Sequence, residues 1–286
     1  MTRRRLAGQG GHADNAARPP SSPETRARTM ALAGAVLLTL AVPHASAQAA
    51  DHLLVTVLDD AGVPVSGLTR NDFMVRRGDA EIELVSVDPA PSTVQVVAIF
   101  EGLAVPQRHL TAGLSTFIGS LDEDSVVDMQ SVDDELDAAI VQAIDDLVAR
   151  DAPRPVILML GQASEIAPSD FQSSQVRGRR RARDLTGDID HLVAQLVEHG
   201  ILFYGLSAAQ IPLTNFARLA QSTGGAFRIL NEPAELGETV EAIGRELGAQ
   251  YLLVVSPPAS AELPEVTVTL RGGSTVRVGR LRAAER

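Results

Sequence analysis

Residues Val94–Pro106 read VQVVAIFEGLAVP. Val94–Phe100 is a near-continuous apolar run, and the Gly- and Pro-bearing loop Glu101–Pro106 follows it. A strand that is apolar at almost every position is buried on both faces, the mark of an interior strand in a parallel sheet. The rhythm continues downstream. Arg108–Leu121 sets Leu110, Leu114, Phe117, Ile118 and Leu121 at helical spacing, and Asp134–Ala149 does the same with Leu136, Ile140, Ala143, Ile144 and Leu147. Strands are expected at Ser125–Val132, Pro155–Leu160, Ile201–Leu206 and Ala226–Leu230, and further helices at Ile189–His199, Leu213–Ser222 and Ala234–Leu247. Strands alternating with helices predict an α/β fold, a doubly wound, mostly parallel sheet flanked by helices.

On either side of this unit the chain reads as β structure. Leu53–Leu58 runs into a turn at Asp59–Pro64, with short strands expected at Val65–Leu68 and Phe73–Arg76. Glu81–Val87 alternates cleanly, and Asp88–Thr93 marks a boundary. Beyond the last helix, Tyr251–Val255 is a strand broken by Pro257-Pro258, and Val266–Leu270 and Thr275–Val278 alternate about Gly272-Gly273. The expected organisation is therefore an N-terminal β module at 48–92, an α/β domain at 93–250, and C-terminal strands at 251–286 that pack with the N-terminal module. Arg77-Gly78-Asp79 has the letters of an integrin-recognition triplet, but its place between two strands predicts a hairpin turn.

The first 47 residues differ in character. Met30–Val42, MALAGAVLLTLAV, is a short apolar run behind Arg26 and Arg28, and Ala45–Ala47 reads ASA. This is the pattern of a signal peptide cleaved after Ala47, with a long n-region and translation starting at Met1 or at Met30. A disordered tail before a buried helix and an uncleaved membrane anchor are the two alternatives. Export to the periplasm or the extracellular space is the expectation. Six arginines against Asp14 and Glu24 in residues 1–47 leave −15 on residues 48–286 of a chain whose net charge is −11. Phosphate-rich partners reward the opposite sign, so nucleic acid is not an expected partner. Without cysteine the exported fold rests on core burial alone. Without tryptophan, and with aromatics at 3%, a stacking platform is not expected either. Five arginines at Arg177, Arg179, Arg180, Arg181 and Arg183 stand in the polar stretch Ser164–Thr186. They suit a solvated loop, a proteolysis site, or contact with an acidic partner or anionic lipid.

No catalytic pattern emerges from the residues. His52, His109, His191 and His199 follow the cleavage point, and none has zinc-motif spacing. Ser207 and Ser256 each follow a strand, without a nucleophile elbow. No glycine-rich phosphate loop occurs.

Three stretches resemble a known family. VTVLDDAGVPVSGLTRNDFMVRRGD (Val55–Asp79), LAQSTGGAFRIL (Leu219–Leu230) and LGAQYLLVVSPP (Leu247–Pro258) are similar to bacterial proteins related to the von Willebrand factor A domain. The resemblance covers roughly residues 51–280. Its matching positions are Asp59, Gly62, Pro64, Val65, Gly67, Leu68, Asp72, Phe73 and Val75, with Gly224-Gly225 and Gln250-Tyr251. It implies a von Willebrand factor A-like sheet with an ion site at its carboxyl end, whose hallmark is Asp-x-Ser-x-Ser after the first strand. Hard divalent cations need oxygen ligands converging at about 2.0–2.6 Å. The hallmark positions here hold Glu101, Leu103 and Val105, and only the first offers an oxygen. Gly161 stands where a later acidic ligand is expected, and little more than Ser125–Asp134 remains of the stretch that carries the threonine. Asp122, Glu123 and Asp124 form a separate acidic cluster that caps or solvates a loop, with a weak ion site as the alternative. The implied adhesion site is degenerate, with no metal and no cofactor.

The leading functional reading is a non-enzymatic, exported protein-interaction or scaffold module that works without metal. Its partner is an unidentified protein, and membrane contact is expected only through an uncleaved signal segment. Glu101, Gly102, Leu103, Ala104 and Gln162 form the candidate contact rim. Leu103 and Ala104 either pack against a partner or seal the loop on its own sheet. A structural or assembly component of the bacterial envelope and a cation-dependent adhesion protein with an atypical site are the alternatives.

Overall fold

The computed structural model describes residues 51–101, 104–132, 136–161, 189–208, 213–256, 266–270 and 275–281. The expected signal peptide at 1–47 and the arginines at 177–183 lie outside the described residues. In chain order the first strands are β1 (Asp51–Leu58), β2 (Phe73–Arg77), β3 (Ala80–Glu81) and β4 (Leu84–Pro89). The α/β run comprises β5 (Gln95–Glu101), α1 (Gln107–Ser120), β6 (Val126–Val132), α2 (Leu136–Ala149), β7 (Pro155–Gly161) and α3 (Ile189–Glu198). It continues with β8 (Leu202–Ser207), α4 (Thr214–Thr223), β9 (Phe227–Ile229) and α5 (Leu236–Gly248). The last strands are β10 (Tyr251–Val255), β11 (Val266–Leu270) and β12 (Thr275–Leu281).

The near-continuous apolar strands become the centre of a five-stranded parallel sheet in the order β6-β5-β7-β8-β9. Alternation along each strand divides the side chains between two cores. Val96, Ala98 and Phe100 pack with Phe117 of α1 and with Val240, Ile243 and Leu247 of α5. Val97 and Ile99 face the other way, toward Ile140 and Ile144 of α2, Leu192 of α3 and Phe216 of α4. Each buried Val, Ile, Leu or Phe side chain among them contributes about 1.5–3 kcal/mol of transfer free energy, and the sheet is stable only with helices on both faces.

The outer strands build two antiparallel sheets, β12-β1-β10-β4 and β11-β2-β3. β1 lies between β10 and β12, so the first described strand is paired on both sides by strands from the end of the chain. Leu53, Val55, Val57, Phe73, Tyr251, Leu253 and Val268 form their shared core, with the Phe73 and Tyr251 rings edge to face at 5.6 Å. The opposite face of β1 carries Leu54, which belongs to the core beneath β5 and α5. β1 is thus the seam between the antiparallel strands and the α/β layers.

Two strand expectations are corrected. Val65–Leu68 is not a strand: Gly67 takes a φ of 78° and turns the chain out of an extended run. The segment is held instead by the Tyr251 hydroxyl, which donates to the Val65 carbonyl at 3.0 Å and accepts from the Leu68 N–H at 3.1 Å. The alternating run Glu81–Val87 splits, because Glu81 pairs with Arg76 of β2 while Leu84 pairs with Val255 of β10. One alternating sequence therefore serves two sheets. Arg77-Gly78-Asp79 makes the hairpin between β2 and β3, with Gly78 at a φ of 58°. The Arg77 side chain is buried and its Nη2 donates to Asp51 Oδ2 at 2.6 Å, which leaves that triplet no exposed guanidinium to offer a receptor.

Candidate functional site

The strand order makes a topological switch point between β5 and β7. From β5 the chain crosses through α1 to the edge strand β6, on the Phe117 side. From β7 it crosses to β8 through α3, on the opposite face. Doubly wound sheets bind ligands beyond the carboxyl ends of the strands at such a point. Glu101 ends β5 there and Gly161 ends β7. Among the rim residues singled out from the sequence, Glu101 and Ala104 are described, while Gly102, Leu103 and Gln162 lie outside the described residues. Glu101 is half-buried, and its carbonyl accepts the Ala104 N–H at 3.1 Å. This turn carries Ala104 and Val105 back onto the core beneath β5, where Val105 is buried. The third hallmark position thus holds an apolar side chain packed inward, and the expected acidic position is a buried glycine. Among the described residues no three His, Cys, Asp or Glu side chains are grouped to hold a metal.

The other candidates are dispersed. Asp122 shapes its own turn, with Oδ1 accepting the Asp124 N–H at 3.2 Å, so this acidic cluster caps a loop. His52 lies on β1, His109 in the first turn of α1, and His191 and His199 on or just past α3. Ser207 is fully buried at the end of β8, and Ser256 follows β10 in a different sheet. No helix among the described residues is long and apolar enough to cross a membrane. A cleft of about 750 Å³ opens at the opposite end of the parallel sheet, between the Gln221–Phe227 turn and strands β11 and β12. Among the described residues its ionisable lining consists of Arg277 and Arg280.

Sequence reasoning missed a buried charged network at the seam. Glu246, on the apolar side of α5, receives Nη2 of Arg228 from β9 on one carboxylate oxygen and Nη2 of Arg277 from β12 on the other. Arg154, just before β7, is only 1% exposed. It donates to the carbonyls of Pro91 and Leu247 and, at 2.5 Å, to Gln250 Oε1. Gln250 in turn donates to Thr56 Oγ1 of β1 at 2.9 Å. Burial pulls Arg154 down to about 10, which still leaves it charged at neutral pH. The signal in the sequence was a charge set inside an apolar run, as in AFRIL and TVRV. It was unreadable without knowing which strands meet. The network welds β1, β10 and β12 to the parallel sheet, and its chemistry is structural.

Tyr204 of β8 is fully buried beside these charges, and its hydroxyl has no hydrogen-bond partner among the described residues. Burial pushes the phenol up to about 12, against the opposing pull of Arg277. The folded state therefore holds the phenolic proton more tightly than the unfolded chain, whose phenol titrates near 10. The associated stability is complete below about pH 10 and is lost as pH rises toward 12, by about 2–3 kcal/mol. Tyr204→Phe should abolish this alkaline loss. It should also raise stability at pH 7 by about 1 kcal/mol, since an unpaired buried hydroxyl is removed. Urea unfolding at pH 7 and pH 11, with phenolate absorbance of a chain that has two tyrosines and no tryptophan, checks both. An alkaline loss that persists in Tyr204→Phe would refute the assignment.

No family model matches the chain, and no curated protein matches it. Among solved structures, it is similar to a von Willebrand factor type A protein from Catenulispora acidiphila, at 10% identity and a TM-score of 0.39, over 84% of this chain and 75% of that one. A diflavin flavoprotein A3 from Nostoc sp. is similar at 15% identity and a TM-score of 0.32, over 55% of this chain and 93% of that one.

Proposed function

We propose that this chain is a non-enzymatic, metal-independent protein-interaction module that acts after export to the periplasm or the extracellular space. The observation that carries this reading is the inward packing of Ala104 and Val105 at the carboxyl end of β5. Apolar side chains occupy the place where an oxygen-lined site would be built, and of the three hallmark positions after β5 only Glu101 carries an acid. Hard cations require several converging oxygens, and general acid–base chemistry requires titratable groups within hydrogen-bonding reach of a substrate. The described rim supports neither. Export is supported by the leader-like sequence of residues 1–47, and a protein partner suits a body too acidic for nucleic acid. The rim around Glu101, Gly102, Leu103 and Gln162 is the first contact face to examine, with Ala104 turned toward the core.

Calorimetric titration of the chelator-treated protein with Mg²⁺, Ca²⁺ and Mn²⁺ tests this. No saturable heat and an unchanged unfolding temperature are expected. Saturable binding that disappears in Glu101→Ala would instead establish an atypical cation site and revive cation-dependent adhesion.

A further inference from the structure

β6 forms one border of the parallel sheet, and among the described residues no strand lies beyond it. It is seven residues long and keeps unbroken register with β5, from Gln95 opposite Val126 to Glu101 opposite Val132. The border at the other side, β9, has three residues. Native sheets blunt their edges with lysine, proline, bulges or very short strands. VVDMQSV contains no lysine, arginine or proline, and it leaves Val126 46% and Met129 60% exposed. The Val126 N–H donates inward to Val94 O at 3.0 Å. Backbone groups alternate between the two edges of a strand, so Val127, Met129 and Ser131 turn their N–H and C=O groups outward. Such a row can accept another strand.

Charge selects the occupant. Asp122, Glu123 and Asp124 are exposed just ahead of β6, and in the sequence Asp133, Asp134 and Glu135 follow it directly. Within the strand, Asp128 is paired with Arg150, so the middle is close to neutral while the flanking sequence is acidic. A second copy would bring a strand flanked in sequence by the same acids, on a body of the same negative net charge, which opposes self-pairing. We propose that β6 binds, by strand addition, an extended segment of a partner protein, about seven residues long, with alternating apolar side chains and Lys or Arg at its ends. This rests on the reading of the chain as an interaction module and adds a surface adjoining the rim, since Val132 pairs with Glu101.

The probe is a fluorescein-labelled peptide, Lys-Lys-Val-Thr-Val-Thr-Val-Lys-Lys, titrated with the full chain and followed by anisotropy. Saturable binding that weakens with added salt is expected. It should weaken at least tenfold in Met129→Pro, which removes an outward N–H at a position where an edge tolerates proline. The same loss is expected in the double variant Val126→Lys/Met129→Lys, whose exposed positions keep the fold intact, and for a peptide with glutamates in place of its lysines. Absence of binding, or binding that survives both variants, would overturn the proposal. So would a dimer in sedimentation that Met129→Lys dissolves, because the edge would then belong to a second copy. The cation titration bears on the rim and this experiment on β6, so each reading can fail while the other stands.

Discussion

Replacing Glu246 with alanine should lower the unfolding free energy by about 3–5 kcal/mol, because breaking a buried ion pair strands its partners. Glu246 is 1% exposed and takes one guanidinium on each oxygen. Without it, Arg277, 17% exposed, keeps its charge in the seam with no other ion-pair partner among the described residues, whereas Arg228, 35% exposed, can turn partly to water. That difference places the expected loss toward the lower end of the range. It also predicts that Arg277→Ala in the Glu246→Ala background recovers more stability than Arg228→Ala does. Replacing all three with Leu and Met of similar volume should return most of the loss, since a packed apolar cluster rivals a buried triad. Urea unfolding reads the totals, and amide exchange along β1 and β12 shows where the structure loosens. A loss below about 1 kcal/mol for Glu246→Ala would mean that the carboxylate is not the anchor of the seam.

This network marks the limit of what the sequence discloses. Val94–Phe100 and Pro155–Leu160 announce interior strands because each reads apolar on both faces; the observed β5 is displaced by one residue, and β7 starts at the expected Pro155 and runs one residue further. The amphipathic stripe Leu136, Ile140, Ala143, Ile144 and Leu147 is buried in α2 residue for residue. Such signals are local and repeat along one element. Gln250 and Thr56 are 194 residues apart, and nothing in either neighbourhood states that a polar bond joins them inside the protein. The corrected strands fail for a related reason. Val65–Leu68 has apolar residues at both ends, but Gly67 turns the chain and the distant Tyr251 hydroxyl holds it there. Glu81–Val87 has one alternation and two sheets to satisfy. At the rim, residue types alone showed which oxygens were missing. The inward packing of Val105 needed coordinates.

Gly225→Ala should rank with Glu246→Ala, at about 3 kcal/mol or more, the exceptional class for a single added methyl. A Cβ at Gly225 would stand 2.0 Å from the Phe203 carbonyl oxygen and 2.7 Å from its carbon, both in the backbone of β8. Since Phe203 and its neighbours are sealed between two helical layers, β9 would have to part from β8 to admit it. Gly224 is constrained twice. It caps α4 with a φ of 82°, and its Cβ would lie 2.3 Å from the backbone nitrogen of Gly279 in β12. These contacts give the Gly224-Gly225 pair a physical role. It lets the α4–β9 turn touch β8 on one side and β12 on the other, backbone to backbone, where any side chain would hold them apart. Gly237 supplies the contrast, because it lies in α5 and a Cβ there would meet nothing within 4 Å. Gly237→Ala should therefore stabilise by about 0.5–1 kcal/mol through helix propensity and a less flexible unfolded chain. Chemical unfolding of the two alanine variants separates close approach from glycine content as such. Equal effects at 225 and 237 would show that β9 can shift without cost, and would remove the pair from the framework that sets β12 against the parallel sheet.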